Sequence, residues 1–158
     1  ARVGALLPRN PEFIAQAMKL CQGRLCSATL DQLGASALYS VDPDYFNATR
    51  DEYRRRRNAC VEGLHKIPGV VCGEPKGAFY LMAKLPVDDA DRFQTWLLEE
   101  FEDQGETLMF APGEGFYATP GKGKDEIRIA YVLNEADIRR SMELLGIAIA
   151  RYQKEKMA

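Results

Sequence analysis

The sequence contains a single histidine, His65, and four cysteines, none of which stand in the CxxC spacing typical of zinc and redox sites. Structural and catalytic zinc ions are held mainly by these two residue types, so the sequence predicts no metal site. The cysteines are interpreted as reduced structural thiols, which is typical of a cytoplasmic protein.

Long apolar runs and a strong charge of either sign are also lacking. No stretch approaches the roughly 20 apolar residues of a transmembrane helix, and no signal peptide is recognised at the N-terminus. The net charge of −2 gives no electrostatic reason to expect a nucleic-acid or membrane partner. Four consecutive arginines at 54–57 are interpreted as a solvated helix face, because acidic side chains nearby neutralise them: Asp44, Asp51, Glu52 and Glu62.

What is present is the composition of a globular protein. The hydrophobic fraction of 46% permits a core, and 158 residues suffice for one compact domain, or for one domain and part of another. The chain begins at Ala1, without methionine and inside a strand-like apolar run. We therefore interpret it as a piece of a longer protein.

Hydrophobic periodicity predicts two regions with different patterns. The first region contains a strand and three helices, predicted at 2–7, 10–23, 27–39 and 43–66. From Pro68 the pattern becomes strand–strand–helix–strand–strand–helix, with strands predicted at 70–72, 77–85, 107–111 and 126–133. The predicted class is α/β, with a small α+β domain in which helices pack on a mostly antiparallel sheet.

Capping signals set the expected ends of the two helices in that second region. Asp88 or Asp89 is expected to begin the first helix, and Gly105 is expected to end it. Asn134, with Asp137 three residues later, is expected to begin the last helix.

The alternating stretch Glu126–Leu133 carries one basic residue, Arg128, among apolar and aromatic side chains. Both faces of this strand are expected to be covered, so Arg128 is predicted to be largely desolvated. A guanidinium cannot lose its charge, and burying it without a partner costs several kcal/mol, so it needs an anion. That anion is either an internal Asp or Glu, or a carboxylate ligand held by the planar fork of the arginine.

The segment before this strand is rich in glycine and proline. Pro112-Gly113-Glu114-Gly115-Phe116 is a turn whose glycines permit positive φ, and Phe116 is either a core residue or part of a lid. Gly121-Lys122-Gly123-Lys124 lacks the Walker spacing, because Phe116 and Ala118 occupy the place of the first glycine and Asp125 replaces Ser or Thr. We interpret this second stretch as an exposed loop.

Together these features resemble the C-terminal part of the fold-type I pyridoxal-phosphate aminotransferases, the aspartate aminotransferase-like class I/II group. The matching residues are the Pro112-Gly113…Phe116 turn, the Arg128 strand, Asn134, and Gly77-Ala78-Phe79-Tyr80-Leu81 as a second central strand. The resemblance covers nearly the whole chain and rests on the order and spacing of these motifs.

The resemblance implies a division into three segments and a role for two arginines. Residues 1–42 would be the end of the large cofactor-binding domain, 43–67 a linking helix, and 68–158 the small C-terminal domain. Arg128 would bind the α-carboxylate of the substrate, and the loop with Phe116 would close over it. Arg2 would contact the cofactor phosphate, although the sequence alone gives only an exposed terminal arginine.

The implied function is transfer of an amino group between an L-amino acid, aspartate being the commonest guess for this group, and a 2-oxo acid. Pyridoxal 5'-phosphate is the implied cofactor, and a homodimer the implied assembly. Transamination needs a lysine that holds the cofactor, and none of the eight lysines here lies in the sequence setting that the family uses. The resemblance places that lysine just before Ala1, so we predict no catalytic residue in this chain, no specific cofactor binding and no activity by itself.

Two other functions remain open. A lyase or synthase of the same fold type would use the same carboxylate-binding arginine. A free-standing α+β regulatory module would use Arg128 to hold an effector anion, although two leading helices without a sheet of their own disfavour this reading.

Overall fold

The computed structural model describes residues 3–157, and the chain divides into two compact units, Ala1–Asn47 and Ala48–Ala158. The α-helices and strands, in chain order, are α1 (Pro11–Arg24), α2 (Thr29–Ser36), α3 (Pro43–Leu64), β1 (Val71–Cys72), β2 (Tyr80–Lys84), α4 (Ala90–Glu99), β3 (Ala111–Pro112), β4 (Glu126–Ala130) and α5 (Glu135–Lys156). Two 3-10 helices lie at Ala37–Ser40 and Glu114–Phe116. Among the described residues, no helix has the length and apolar character that a membrane span requires.

The first unit forms helices from local signals and buries no side chain among its described residues. α1 begins as predicted: the Asn10 side chain accepts hydrogen bonds from the backbone N–H groups of Glu12 and Phe13, at 3.0 and 3.2 Å, and Pro11 is the first helical residue. Apolar side chains stay in solvent, Leu7 with 92% of its surface exposed. The helices of this unit therefore form without a core of their own.

Two predictions for the first unit are wrong. Residues 3–7, the described part of the predicted strand at 2–7, form no strand, because no described segment of this unit supplies the hydrogen-bonding partner that a strand needs. In place of the helix predicted over 27–39, the α-helix covers Thr29–Ser36 and a 3-10 helix follows it. The hydroxyl of Ser36 donates a hydrogen bond to the Leu33 carbonyl at 2.7 Å, and such a bond competes with the α-helical pattern at this end.

The second unit is built on a four-stranded antiparallel sheet with the order β1-β2-β4-β3. β2 and β4 are the central strands and pair along their full lengths, with Met82 opposite Arg128. On the other side of β4, Ala111 of β3 also lies opposite Arg128. The predicted α/β class, with a small, mostly antiparallel sheet, is confirmed.

The core lies between one face of this sheet and the helices α3, α4 and α5. Its sheet residues alternate along β2 and β4. The largest fully buried side chains are Tyr131, Tyr152, Phe93, Leu64, Leu85, Leu97, Ile127, Leu145 and Cys60. Each buried side chain of this size contributes about 1.5–3 kcal/mol relative to its exposed state. The second unit thus holds the hydrophobic core of the described chain.

The helix caps of the second unit are partly as predicted. Asp89 is the N-cap of α4 and Asn134 is the N-cap of α5; each side chain accepts backbone N–H groups of the first turn. The prediction that Gly105 ends α4 is wrong, since the helix ends at Glu99. Gly105 instead takes a φ of +78° in the short turn between Asp103 and Glu106.

All four predicted strands are shorter than expected: the one predicted at 70–72 begins at Val71 and the one predicted at 126–133 ends at Ala130. For the other two the reason can be identified. In the segment predicted as a strand at 107–111, the Phe110 N–H donates to the Gln94 side-chain oxygen and the Thr107 hydroxyl donates to the Leu97 carbonyl, each at 2.8 Å. These bonds tie the segment to α4, and only Ala111 and Pro112 pair with β4. The strand predicted at 77–85 begins at Tyr80, because Ala78 has a φ of +60°, which an extended strand does not allow.

The loop between β3 and β4 is anchored at its base. The Gly113 N–H donates to the Glu126 carbonyl at 2.7 Å, and the Tyr117 hydroxyl donates to the Glu126 carboxylate at 2.5 Å. Gly123 has a φ of +79°, and a Cβ at this position would lie 2.4 Å from the Tyr117 ring. Gly121 has a φ of +77° but no atom within 4 Å of such a Cβ.

The pair Gly121 and Gly123 separates backbone strain from steric conflict. Gly121→Ala should cost only the left-handed backbone penalty, about 1–2 kcal/mol. Gly123→Ala should cost about 1–3 kcal/mol more, because its methyl group displaces the Tyr117 ring. Urea unfolding followed by the fluorescence of Trp96, the only tryptophan, measures both. Equal losses for the two variants would show that Tyr117 does not hold this loop.

Candidate functional site

Arg128 lies in the middle of β4, between the neighbouring strands β2 and β3. Its neighbours in the chain follow the predicted alternation: Ile127 and Tyr131 are buried in the core, so Arg128 faces the other side of the sheet. The prediction that both faces are covered is wrong for the described residues, because Ala130 is exposed and Val132 keeps 47% of its surface in solvent. Arg128 itself is half-buried.

Two aromatic rings supply the burial that Arg128 has. The guanidinium carbon lies 4.5 Å from the centre of the Phe116 ring and 5.4 Å from the centre of the Tyr80 ring. A cation over an aromatic ring is attracted electrostatically, at about 0.5–1 kcal/mol for an exposed pair. Such contacts use none of the N–H donors of the guanidinium, which point outward in its plane and remain available.

No carboxylate among the described residues forms an ion pair with Arg128. Arg140 shows the contrast: its guanidinium contacts Asp103 and Glu106 at 2.7 Å each. The internal partner considered for Arg128 on sequence grounds is therefore not formed in this part of the chain. A half-buried guanidinium whose N–H donors are free is suited to bind the carboxylate of a ligand.

Phe116 reaches Arg128 because of the anchored loop described above. It is the last residue of the 3-10 helix Glu114–Phe116 and keeps 51% of its surface exposed, so it is not the core residue that the sequence also allowed. Gly113 permits the close approach of loop and strand, since a Cβ there would lie 2.7 Å from the Glu126 carbonyl oxygen. The hydrogen bond to Glu126 raises the pKa of Tyr117, which keeps this phenol protonated as a donor.

A hydrogen bond of the Glu114 side chain also joins the two halves of this loop. The Glu114 carboxylate accepts a hydrogen bond from the Gly121 N–H at 3.0 Å. Lys122 lies over the Tyr117 ring at 5.0 Å, and Lys124 approaches Asp89 at 3.9 Å. Both lysines are exposed, in agreement with the interpretation of this stretch as an exposed loop.

Sequence reasoning missed Tyr80 as a wall of the site. No signal in the sequence points to it, because its place depends on the register of the sheet: Tyr80 pairs with Ala130, two residues along from Arg128, and residues two apart share a face of a sheet. The other predicted site residue, Arg2, lies outside the described residues 3–157.

Comparison with known proteins matches residues 1–145 to the family described as aminotransferase class I and II. The aspartate aminotransferase of Rhizobium meliloti is 27% identical over 157 residues, covering 90% of this chain and 36% of that protein. The aspartate aminotransferase of Bacillus subtilis (strain 168) is 30% identical over 133 residues, covering 80% of this chain and 30% of that protein.

A solved structure has a similar fold. The kynurenine aminotransferase of Pyrococcus horikoshii, crystallised in complex with PMP, superimposes with a TM-score of 0.66 at 24% identity. The match covers 89% of this chain and 35% of that one. The chain thus spans about a third of the length of the relatives that it matches.

The absence of an internal partner for Arg128 predicts a small effect on stability when its charge is removed. Arg128→Met should lower the free energy of unfolding by no more than about 2 kcal/mol, the sum of the two lost cation–π contacts. The control is Arg140→Met, which breaks contacts to three carboxylates and should destabilise more. Urea unfolding compares the two. A larger loss for Arg128→Met would mean that Arg128 has a structural ion pair after all.

Proposed function

Because this chain belongs to the aminotransferase class I and II family, we propose that it is the part of an aminotransferase that binds the α-carboxylate of the substrate through Arg128. The reaction would transfer an amino group between an L-amino acid, with aspartate as the first candidate, and a 2-oxo acid. The observation that carries the proposal is a half-buried guanidinium with aromatic rings near it and no carboxylate partner among the described residues.

The chemistry of the substrates fits this arginine. An amino acid and its 2-oxo acid differ at the α-carbon but share the α-carboxylate, so one arginine can hold both partners of the reaction. Two parallel N–H···O bonds fix the plane of the carboxylate as well as its position, which orients the α-carbon. Phe116 and Tyr80 limit the access of water to the guanidinium and thereby strengthen the pair.

The proposal includes the three segments implied by the resemblance: 1–42 in a large domain, 43–67 as a linking helix and 68–158 as the small domain. The division of the chain into two compact units falls inside α3, which supports a connecting role for this helix. The first unit buries none of its described side chains, which supports its assignment to a larger domain. A cytoplasmic homodimer is the proposed state of the whole enzyme.

The described residues do not fit pyridoxal phosphate, the proposed cofactor of the whole enzyme. A lysine that forms an imine must lose its proton, and desolvation is what favours this loss. All eight lysines here are exposed, and the pKa of Lys84 is raised by its hydrogen bond to Asp125. The proposal therefore assigns this chain the binding of the substrate and leaves the chemistry of the cofactor to other residues.

The decisive experiment is Arg128→Lys in the whole enzyme that contains this chain. The lysine ammonium cannot make the two parallel hydrogen bonds of the arginine guanidinium. Carboxylate binding should therefore weaken by about 2–5 kcal/mol, and kcat/KM for amino acids should fall accordingly. Arg139→Lys, at an exposed ion pair on α5, is the matched control and should leave kcat/KM unchanged. The assignment fails if amine substrates without a carboxylate are slowed as much as amino acids.

A second experiment, on the 158-residue chain itself, tests whether this chain binds the cofactor at a specific lysine. After mixing with pyridoxal phosphate, borohydride reduction and peptide mapping, scattered low-level modification of exposed lysines is expected, without one dominant site. The visible spectrum before reduction should match that of free cofactor with simple amines. A stoichiometric adduct on one defined lysine would reveal a cofactor site in this chain and overturn the assignment.

A further inference from the structure

A second concave site lies in the same unit as Arg128, between the middle of α3 and the loop at 75–79 that leads into β2. Its cavity has a volume of about 430 Å³, and its lining includes Arg50, Arg54, Arg57, Lys76, Tyr53 and Phe79. The lining of this cleft does not include Arg128, Tyr80 or Phe116, although the Phe79 ring lies 5.6 Å from the Tyr80 ring. We propose that this cleft binds a small aliphatic dicarboxylate.

The charges around the cleft favour a dianion. Arg50, Arg54 and Arg57 follow the i, i+4, i+7 spacing that places residues on one face of a helix. Two carboxylates contact them: Asp51 lies 3.4 Å from Arg50 and 3.1 Å from Arg54, and Glu74 lies 3.1 Å from Arg57.

Lys76 also lines the cleft, so the three arginines and this lysine bring four positive charges. Within residues 3–157, the only carboxylates that contact them are those of Asp51 and Glu74. Two positive charges remain in excess, which a ligand with two carboxylates would neutralise. Lys76 has no carboxylate partner among the residues that the structure describes, so its ammonium is available to one end of the ligand.

The cleft is held in shape by two contacts of Arg57 across it. Arg57 has only 21% of its side chain exposed, donates a hydrogen bond to the Pro75 carbonyl at 3.2 Å and lies 3.1 Å from the Glu74 carboxylate. These two contacts tie α3 to the loop, and a hydrogen bond to the neighbouring Asn58 at 2.8 Å orients the guanidinium within the helix. Arg57 therefore builds the wall, and the more exposed Arg50 and Arg54 are the residues that can reach a ligand.

The loop adds a strained backbone position to this wall. Ala78 has a φ of +60°, a conformation that residues with a Cβ rarely adopt, and its carbonyl accepts a hydrogen bond from the Tyr131 hydroxyl at 3.2 Å. Strain of this kind persists only where surrounding contacts hold it, and it is concentrated at ligand sites. Ala78 lines the cleft, so this strained position lies at the proposed ligand site.

The size and lining of the cleft select a carboxylate ligand with a short apolar body. Asp51 does not line the cleft itself, but it shows that two neighbouring arginines of α3 can share one carboxylate. The rings of Tyr53 and Phe79, with centres 6.4 Å apart, form an apolar wall for methylene groups between the two charges. The arginine forks would bind a carboxylate or a phosphate equally well, so it is this apolar wall that favours a dicarboxylate with a methylene body over inorganic phosphate.

The test uses succinate as probe and the full 158-residue chain, with backbone amide shifts at 75–79 as the readout. Succinate should produce saturable shifts at these residues, at least about tenfold stronger binding than acetate, and weakening when salt is raised. The variant Arg50→Gln with Arg54→Gln should bind succinate about tenfold more weakly or worse. Both positions are exposed, so thermal unfolding of the variant should be unchanged.

Matched controls separate this site from Arg128. Arg128→Met should leave the succinate shifts at 75–79 unchanged, and so should Arg92→Gln, an exposed arginine of α4. Loss of these shifts in Arg128→Met, equal affinity for acetate, or tighter binding of inorganic phosphate than of succinate would each overturn the proposal. Failure here leaves the carboxylate assignment of Arg128 intact, because that assignment is measured by amino-acid kinetics in the whole enzyme.

Discussion

The antiparallel pairing of β2 with β4 is the interaction on which the rest of the second unit depends. The register that sets Met82 opposite Arg128 also sets Tyr80 beside the arginine and Ile127 in the core. A slip of one residue would send Arg128 into the core and Ile127 into solvent, and both changes cost free energy. One set of backbone hydrogen bonds therefore decides at once where the core lies and where the cationic face lies.

The two ends of this strand pair carry segments that the sheet alone does not determine. At one end, Gly113, Tyr117 and Glu126 hold the loop that brings Phe116 to the guanidinium. At the other end, Tyr131 holds the kink at Ala78 before β2 begins. In both places a tyrosine hydroxyl fixes a loop against a central strand, so each proposed binding surface combines a rigid strand with a shaped loop.

Sequence reasoning identified the elements with strong periodicity or capping, such as α1 with Asn10, α5 with Asn134 and the strand with Arg128. It was wrong where tertiary hydrogen bonds compete with the local pattern. The segment before β3 has the composition of a strand, but Gln94 binds its backbone from α4, and alternation in the sequence carries no information about such a bond. Arg128 was found because an unpaired charge in an apolar strand is visible in one sequence, whereas the aromatic walls depend on the pairing of strands.

The lack of burial in the first unit has a consequence for the energetics of the chain. Isolated helices shorter than about 12–15 residues are marginal in water, and α1 and α2 have 14 and 8 residues with no buried side chain to support them. Their backbone amides should exchange with solvent deuterium far faster than those of α5, whose inner face is packed. We therefore expect two regions of different cooperativity, one that loses its helices by fraying and one that unfolds in a single step.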